Sequence, residues 1–129
     1  MTKDEHINYW KTSSEKDWSV VFNLYKSKDY VYSLFFSHLT IEKLAKALWV
    51  KNNDNNHPPR IHNIVSLLER ADIEMPDEIK EFLLILNDFQ LEGRYPDYRM
   101  KIFKICDKQR TDEMLKDVKK VKIWLLKQL

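Results

Sequence analysis

One glycine, one cysteine and four prolines in 129 residues leave several structural classes without the residues they need. So few glycines and prolines cannot punctuate the many tight turns of a β-sandwich or barrel. The single Cys106 excludes an intrachain disulfide and suits a reducing compartment. No uninterrupted apolar run approaches the ~20 residues that span a bilayer, and the polar start from Met1 to His6 has no signal-peptide core. The expectation is a cytoplasmic protein with no membrane partner.

A large excess of one charge is also missing, since the net charge is only +2. The total conceals an asymmetry. From Arg94 onward eleven Lys and Arg stand against five Asp and Glu, whereas residues 1–93 hold eleven basic and fifteen acidic groups. Such a split marks either a surface for phosphates or acidic partners, or a solvated lysine-rich helix face. Lys116, Lys119, Lys120, Lys122 and Lys127, with Lys101, Lys104 and Lys108 before them, carry both readings. No base-reading motif accompanies them.

What the chain does have is 43% hydrophobic residues, enough for one core, recurring at three and four rather than at two. An all-α bundle forming one domain over residues 1–129 follows. Its centre is Tyr30–Val50, where Leu34, Ile41, Ala45 and Leu48 make one apolar stripe and Phe36, Leu39 and Val50 a second. A helix apolar on more than one side belongs in the middle of a bundle. Between the stripes runs a polar line of His38, Glu42 and Lys46, bracketed by Phe35 and Trp49. It is either an anion-binding or proton-transfer site or a local ladder of side chains, because Glu four residues before Lys is the favourable helical order, worth about 0.2–0.5 kcal/mol when exposed. One His and one Glu are too few ligands for a metal, and no cofactor motif is present.

The other elements follow in order. A first helix over about Asp4–Ser27 presents Trp10, Trp18, Val21, Phe22 and Tyr25, and the short Lys26–Asp29 turn makes it the antiparallel neighbour of the central helix. The central helix ends near Asn52 in a polar loop closed by Pro58 and Pro59. A third helix is expected over Arg60–Arg70, with His62 in its first turn, and a fourth over Asp77–Glu92 with Ile79, Phe82, Leu83, Leu86 and Phe89 inward. Gly93 is expected to close the fourth helix in a left-handed Schellman cap. The segment 98–110 has no clear period. Thr111 is the expected N-cap of a last helix that reaches the C-terminus, where Trp124, Leu125 and Leu126 could extend a dimer interface.

Tyr9-Trp10, Lys28-Asp-Tyr30, Glu42-Lys43 with Lys46-Ala47, Pro59 followed by His62-Asn-Ile64, and Arg94-Tyr95-Pro96-Asp97 stand in an order and spacing that resembles the HEPN family from Tyr9 to Trp124. The resemblance implies an up-and-down bundle of four to five helices that commonly forms a homodimer. It also implies relatives paired with a small nucleotidyltransferase as toxin and antitoxin, and members that bind nucleotides or cut RNA. The ribonuclease members carry an arginine followed, after four to six residues, by a histidine: the guanidinium holds the scissile phosphate while the imidazole moves protons. After Arg94 come Tyr95, Pro96, Asp97, Tyr98, Arg99, Met100 and Lys101, with no histidine, and Arg60 reaches His62 at the wrong spacing. Tyr95 and Tyr98 are poor replacements, since a phenol with a pKa of about 10 scarcely ionises at neutrality. The expected function is therefore a non-catalytic binding or regulatory module for a nucleotidyltransferase-type partner, a nucleotide or RNA. A degenerate ribonuclease and a purely structural dimeric scaffold are the alternatives. Candidate ligand-binding residues are Arg94, Tyr95, Asp97, His62, Lys46, Glu42, His38 and Lys43. Arg94 either binds phosphate or anchors its loop through helix-end carbonyls or Asp97, and His62 either meets Arg94 across the bundle or caps its own helix.

Overall fold

The structure is a computed structural model that describes residues 1–97 and 100–129. The described residues form six helices: α1 (Lys3–Lys26), α2 (Tyr30–Asn52), α3 (Ile64–Arg70), α4 (Asp77–Arg94), α5 (Lys101–Ile105) and α6 (Lys108–Leu126). The long helices α1, α2, α4 and α6 make the bundle, and α3 and α5 are short connectors. Tyr98, read from the sequence as a poor replacement for the missing histidine, lies outside the described residues.

The central place of α2 follows from its two apolar stripes. Leu34, Ile41, Leu44, Ala45 and Leu48 are fully buried, against Leu83, Leu86 and Phe89 of α4, the α3 residues Ile64, Leu67 and Leu68, and Leu115, Val118, Val121 and Leu125 of α6. Its remaining side meets α1, where small hydroxyl side chains let the backbones approach. Ser33 Oγ donates to Val21 O and Ser14 Oγ to Thr40 O, each at 2.9 Å. Both hydroxyls are thereby satisfied inside the interface, as burial requires. Leu125 belongs to this core and is not available for a dimer interface.

The helix ends depart from expectation in an instructive way. Gly93 is not left-handed; it lies within α4, and none of the positive-φ residues described is a glycine. Its reason is space. A Cβ there would stand 2.7 Å from Cδ2 and 3.0 Å from Cγ of Phe35, so only glycine lets α4 rest on that ring. The Schellman geometry occurs instead at Lys28 (φ 66°), with Asp29 N bonded to Leu24 O and Lys28 N to Tyr25 O, and at Asp72 (φ 57°), with Ile73 N bonded to Leu68 O and Asp72 N to Glu69 O.

Two helix starts also move. Residues 60–62 are not helical, and α3 begins at Ile64 because the Asn63 side chain accepts from Ser66 N at 3.0 Å. Asp107, not Thr111, caps α6, accepting from Arg110 N at 2.9 Å. Thr111 lies one turn inside, buried, its hydroxyl donating to Asp107 O. Asp is as good a cap as Thr, and it came first.

Candidate functional site

Packing the α2 stripes against α1, α4 and α6 leaves the polar line nowhere to go but inward. His38, Glu42 and Lys46 are all buried. The Glu42–Lys46 rung of the local ladder forms, but inside the bundle, and the group is also held from outside α2. Glu42 Oε1 is 3.1 Å from Nδ1 of His62, which reaches across from the loop before α3, and Oε2 accepts from Lys46 Nζ at 3.1 Å. Lys46 Nζ also lies 5.2 Å from the centre of the Trp10 ring on α1. Three separate stretches of chain thus converge around one carboxylate. A buried carboxylate without such partners would cost several kcal/mol.

His38 is different in kind. Its Nδ1 is 3.7 Å from Glu42 Oε1, too long for a hydrogen bond. Burial first, and then the positive potential of His62, Arg94 and Lys46, lower its pKa to about 3, with the Asn87 side chain opposing the shift. The ring is therefore neutral at physiological pH, and its approach to Glu42 is not an ion pair. A ring that is neutral at physiological pH carries no positive charge to offer an anion. Both its ring nitrogens and Asn87 Oδ1 are buried with no hydrogen-bond partner among the described residues.

Arg94 ends α4 beside this line. Its guanidinium lies over the Phe35 ring at 5.1 Å, and Nη1 donates to Gln90 Oε1 at 3.4 Å. The expected anchor to Asp97 does not form; Asp97 Oδ1 accepts from Lys101 N at 2.9 Å and so holds the entry to α5. Tyr95, the C-cap residue of α4, is 78% exposed. His62 does cross the bundle, but its partner is Glu42, and it neither caps α3 nor sits in its first turn. Lys43 leaves the group, because it pairs with Asp17 of α1 at 2.7 Å and clamps α1 to α2.

Sequence reasoning missed Asn87 and Gln90. Both carried a signal: with Leu83 and Leu86 they fall on the inward stripe of α4, where a polar residue must face another polar group. Three lysines of α6 have neighbours on α1. Lys122 lies 4.8 Å from the Trp18 ring and 3.3 Å from Glu15, Lys119 lies 5.3 Å from the Phe22 ring, and Lys108 pairs with Asp112 at 3.0 Å beside Tyr25. The hydrogen bond from the Tyr25 hydroxyl, and then that from Lys108, hold the Asp112 carboxyl below its usual range. These three lysines bind α6 to the aromatic face of α1. No group of three His, Cys, Asp or Glu suited to a metal ion occurs among the described residues, and no described helix is long and apolar enough to cross a membrane.

Comparison with known proteins bears on the whole chain. The family model for the HEPN domain matches residues 7–129. The crystal structure of TT1696 from Thermus thermophilus superimposes with a TM-score of 0.77 over 95% of this chain and 98% of that one, at 16% identity. At that identity the likeness shows a shared fold. A search of curated proteins finds no match.

Proposed function

The chain belongs to the HEPN domain family, and from that premise we propose that it is a non-catalytic binding module whose ligand carries a phosphate, a nucleotide or an RNA, taken at Arg94. The observation that carries this reading is the chemistry of that guanidinium. Its contacts among the described residues, the Phe35 ring and Gln90, are both uncharged, while Glu42 is already paired with Lys46 and hydrogen-bonded to His62. Arg94 therefore has charge to offer an incoming anion, and the planar fork suits phosphate oxygens. Tyr95, next in the chain and exposed, gives a base a surface to stack on. A nucleotidyltransferase-type partner, which the family resemblance implies, fits the same surface if it delivers a nucleotide or a nucleotidylated side chain.

Titration calorimetry with AMP, ADP, ATP and a short single-stranded RNA tests the reading. We expect saturable binding that Arg94→Ala weakens by at least about tenfold, the size of one lost charge-assisted hydrogen bond. Lys119→Ala, remote on the α1–α6 face, leaves it unchanged. Equal affinity in Arg94→Ala and wild type sinks the proposal. The ribonuclease alternative keeps one supporting observation, an exposed His62 on the same polar line that Arg94 adjoins. It requires RNA cleavage by the wild type that both Arg94→Ala and His62→Ala abolish.

A further inference from the structure

A hollow of about 500 Å³ opens between α4, α5 and the start of α6, and no residue of the α2 polar line borders it. Its volume lies in the ~300–1,000 Å³ range typical of small-molecule sites. The floor reaches the core, because Phe89 and Cys106 line it and are only 6% and 5% exposed. Ile85 and Ile105, each about half exposed, and Met114 continue the apolar wall outward. The charged residues of the lining are all exposed and so stand at the mouth: Asp88 of α4, Asp107 and Glu113 at the start of α6, against the one guanidinium of Arg110. The Cys106 thiol feels that imbalance. Burial raises its pKa most and the Thr111 hydrogen bond opposes the rise, and of the two charges that act on it Asp107, which raises it, outweighs Arg110, which lowers it.

An apolar floor beneath a mouth of net negative charge suits an aliphatic chain that ends in an ammonium group. The methylenes leave water, while the head stays hydrated and beside the carboxylates. Burying that head would cost several kcal/mol, which a charged mouth over an apolar floor avoids. The N-terminus of α6 is no rival site for an anion, since Asp107 already caps it, accepting from Arg110 N at 2.9 Å. We propose that the hollow is a binding site for a primary alkyl amine, its tail on Phe89 and Cys106 and its ammonium group between Asp88 and Glu113. The site shares no residue with the phosphate site at Arg94, so each can fail without the other.

Titration calorimetry of the full chain near neutral pH with n-octylammonium, n-octanol and n-octanoate tests it. We expect one saturable site for the amine, with the alcohol and the carboxylate at least about tenfold weaker. Asp88→Lys combined with Glu113→Lys reverses the order in favour of octanoate, a result that loss of folding cannot produce. Cys106, the only cysteine of the chain, locates the ligand. Saturating octylammonium slows its reaction with the neutral reagent dipyridyl disulfide at least about threefold, because the tail covers the thiol. No saturable binding of the amine, equal affinity for the three compounds, an unchanged order in the double variant, or a Cys106 that reacts as fast with the amine as without it would each overturn the proposal.

Discussion

At the scale of single residues, the glycine carries the clearest lesson. A lone glycine after an amphipathic run reads as a cap, because caps are the commonest use of glycine at that position. The physical cause here is instead the thickness of one hydrogen atom between α4 and Phe35. Gly93→Ala gains helix propensity, about 1 kcal/mol, but must displace an aromatic ring that also supports Arg94. We expect a net loss of roughly 1–2 kcal/mol by urea denaturation, the overpacking cost prevailing. In a Phe35→Leu background the same change becomes neutral or stabilising, as propensity alone dictates. A left-handed Gly93 would make the alanine variant destabilising in both backgrounds, so the pair of measurements separates the two explanations. Nothing in the one-dimensional pattern could have distinguished them, since the clash is with a residue 58 positions away.

At the scale of elements, the helices themselves were legible and their ends were not. The spacing of apolar residues located α1, α2, α4 and α6 within a few positions, because a 3.6-residue period is imposed by burial and survives in any bundle. Ends are decided by which of several adjacent polar residues reaches a free N–H first. Asp107 outcompeted Thr111, and Asn63 displaced the start set by the prolines. Of the three left-handed positions described, the two that close helices fell on Lys28 and Asp72, residues whose Cβ makes that conformation sterically unfavourable. Lys28→Gly and Asp72→Gly therefore each stabilise the fold, by about 1 kcal/mol, despite adding backbone freedom to the unfolded chain. Chemical denaturation of the two single variants measures this directly. Destabilisation in both would show that the side chains of Lys28 and Asp72 contribute more than their backbone geometry costs. The polar line of α2 was legible in the same partial way: its spacing along the helix could be read, but not its closure by His62, which arrives from a loop.

At the scale of the whole molecule, the buried line ties stability to pH. His38 has a folded pKa of about 3 against an ordinary value of 6.5, so the unfolded chain takes up a proton that the folded chain refuses. A depressed folded pKa means that its contribution is complete above about pH 6.5 and is lost as pH falls from there toward 3. The slope within that window approaches about 1.4 kcal/mol per pH unit, large against the ~5–15 kcal/mol that holds a domain together. Replacing His38 with Gln removes the proton while keeping a polar side chain opposite Asn87. At pH 7.5 the variant is the less stable protein, because its packing is altered and no proton linkage offsets that loss. Between pH 6 and 4 the wild type loses stability faster, and the gap closes by roughly 1.4 kcal/mol per unit. Parallel stability curves across that range would mean that His38 takes up its proton in the native state as readily as in the unfolded chain, and the close approach of its ring to Glu42 would then be an ion pair.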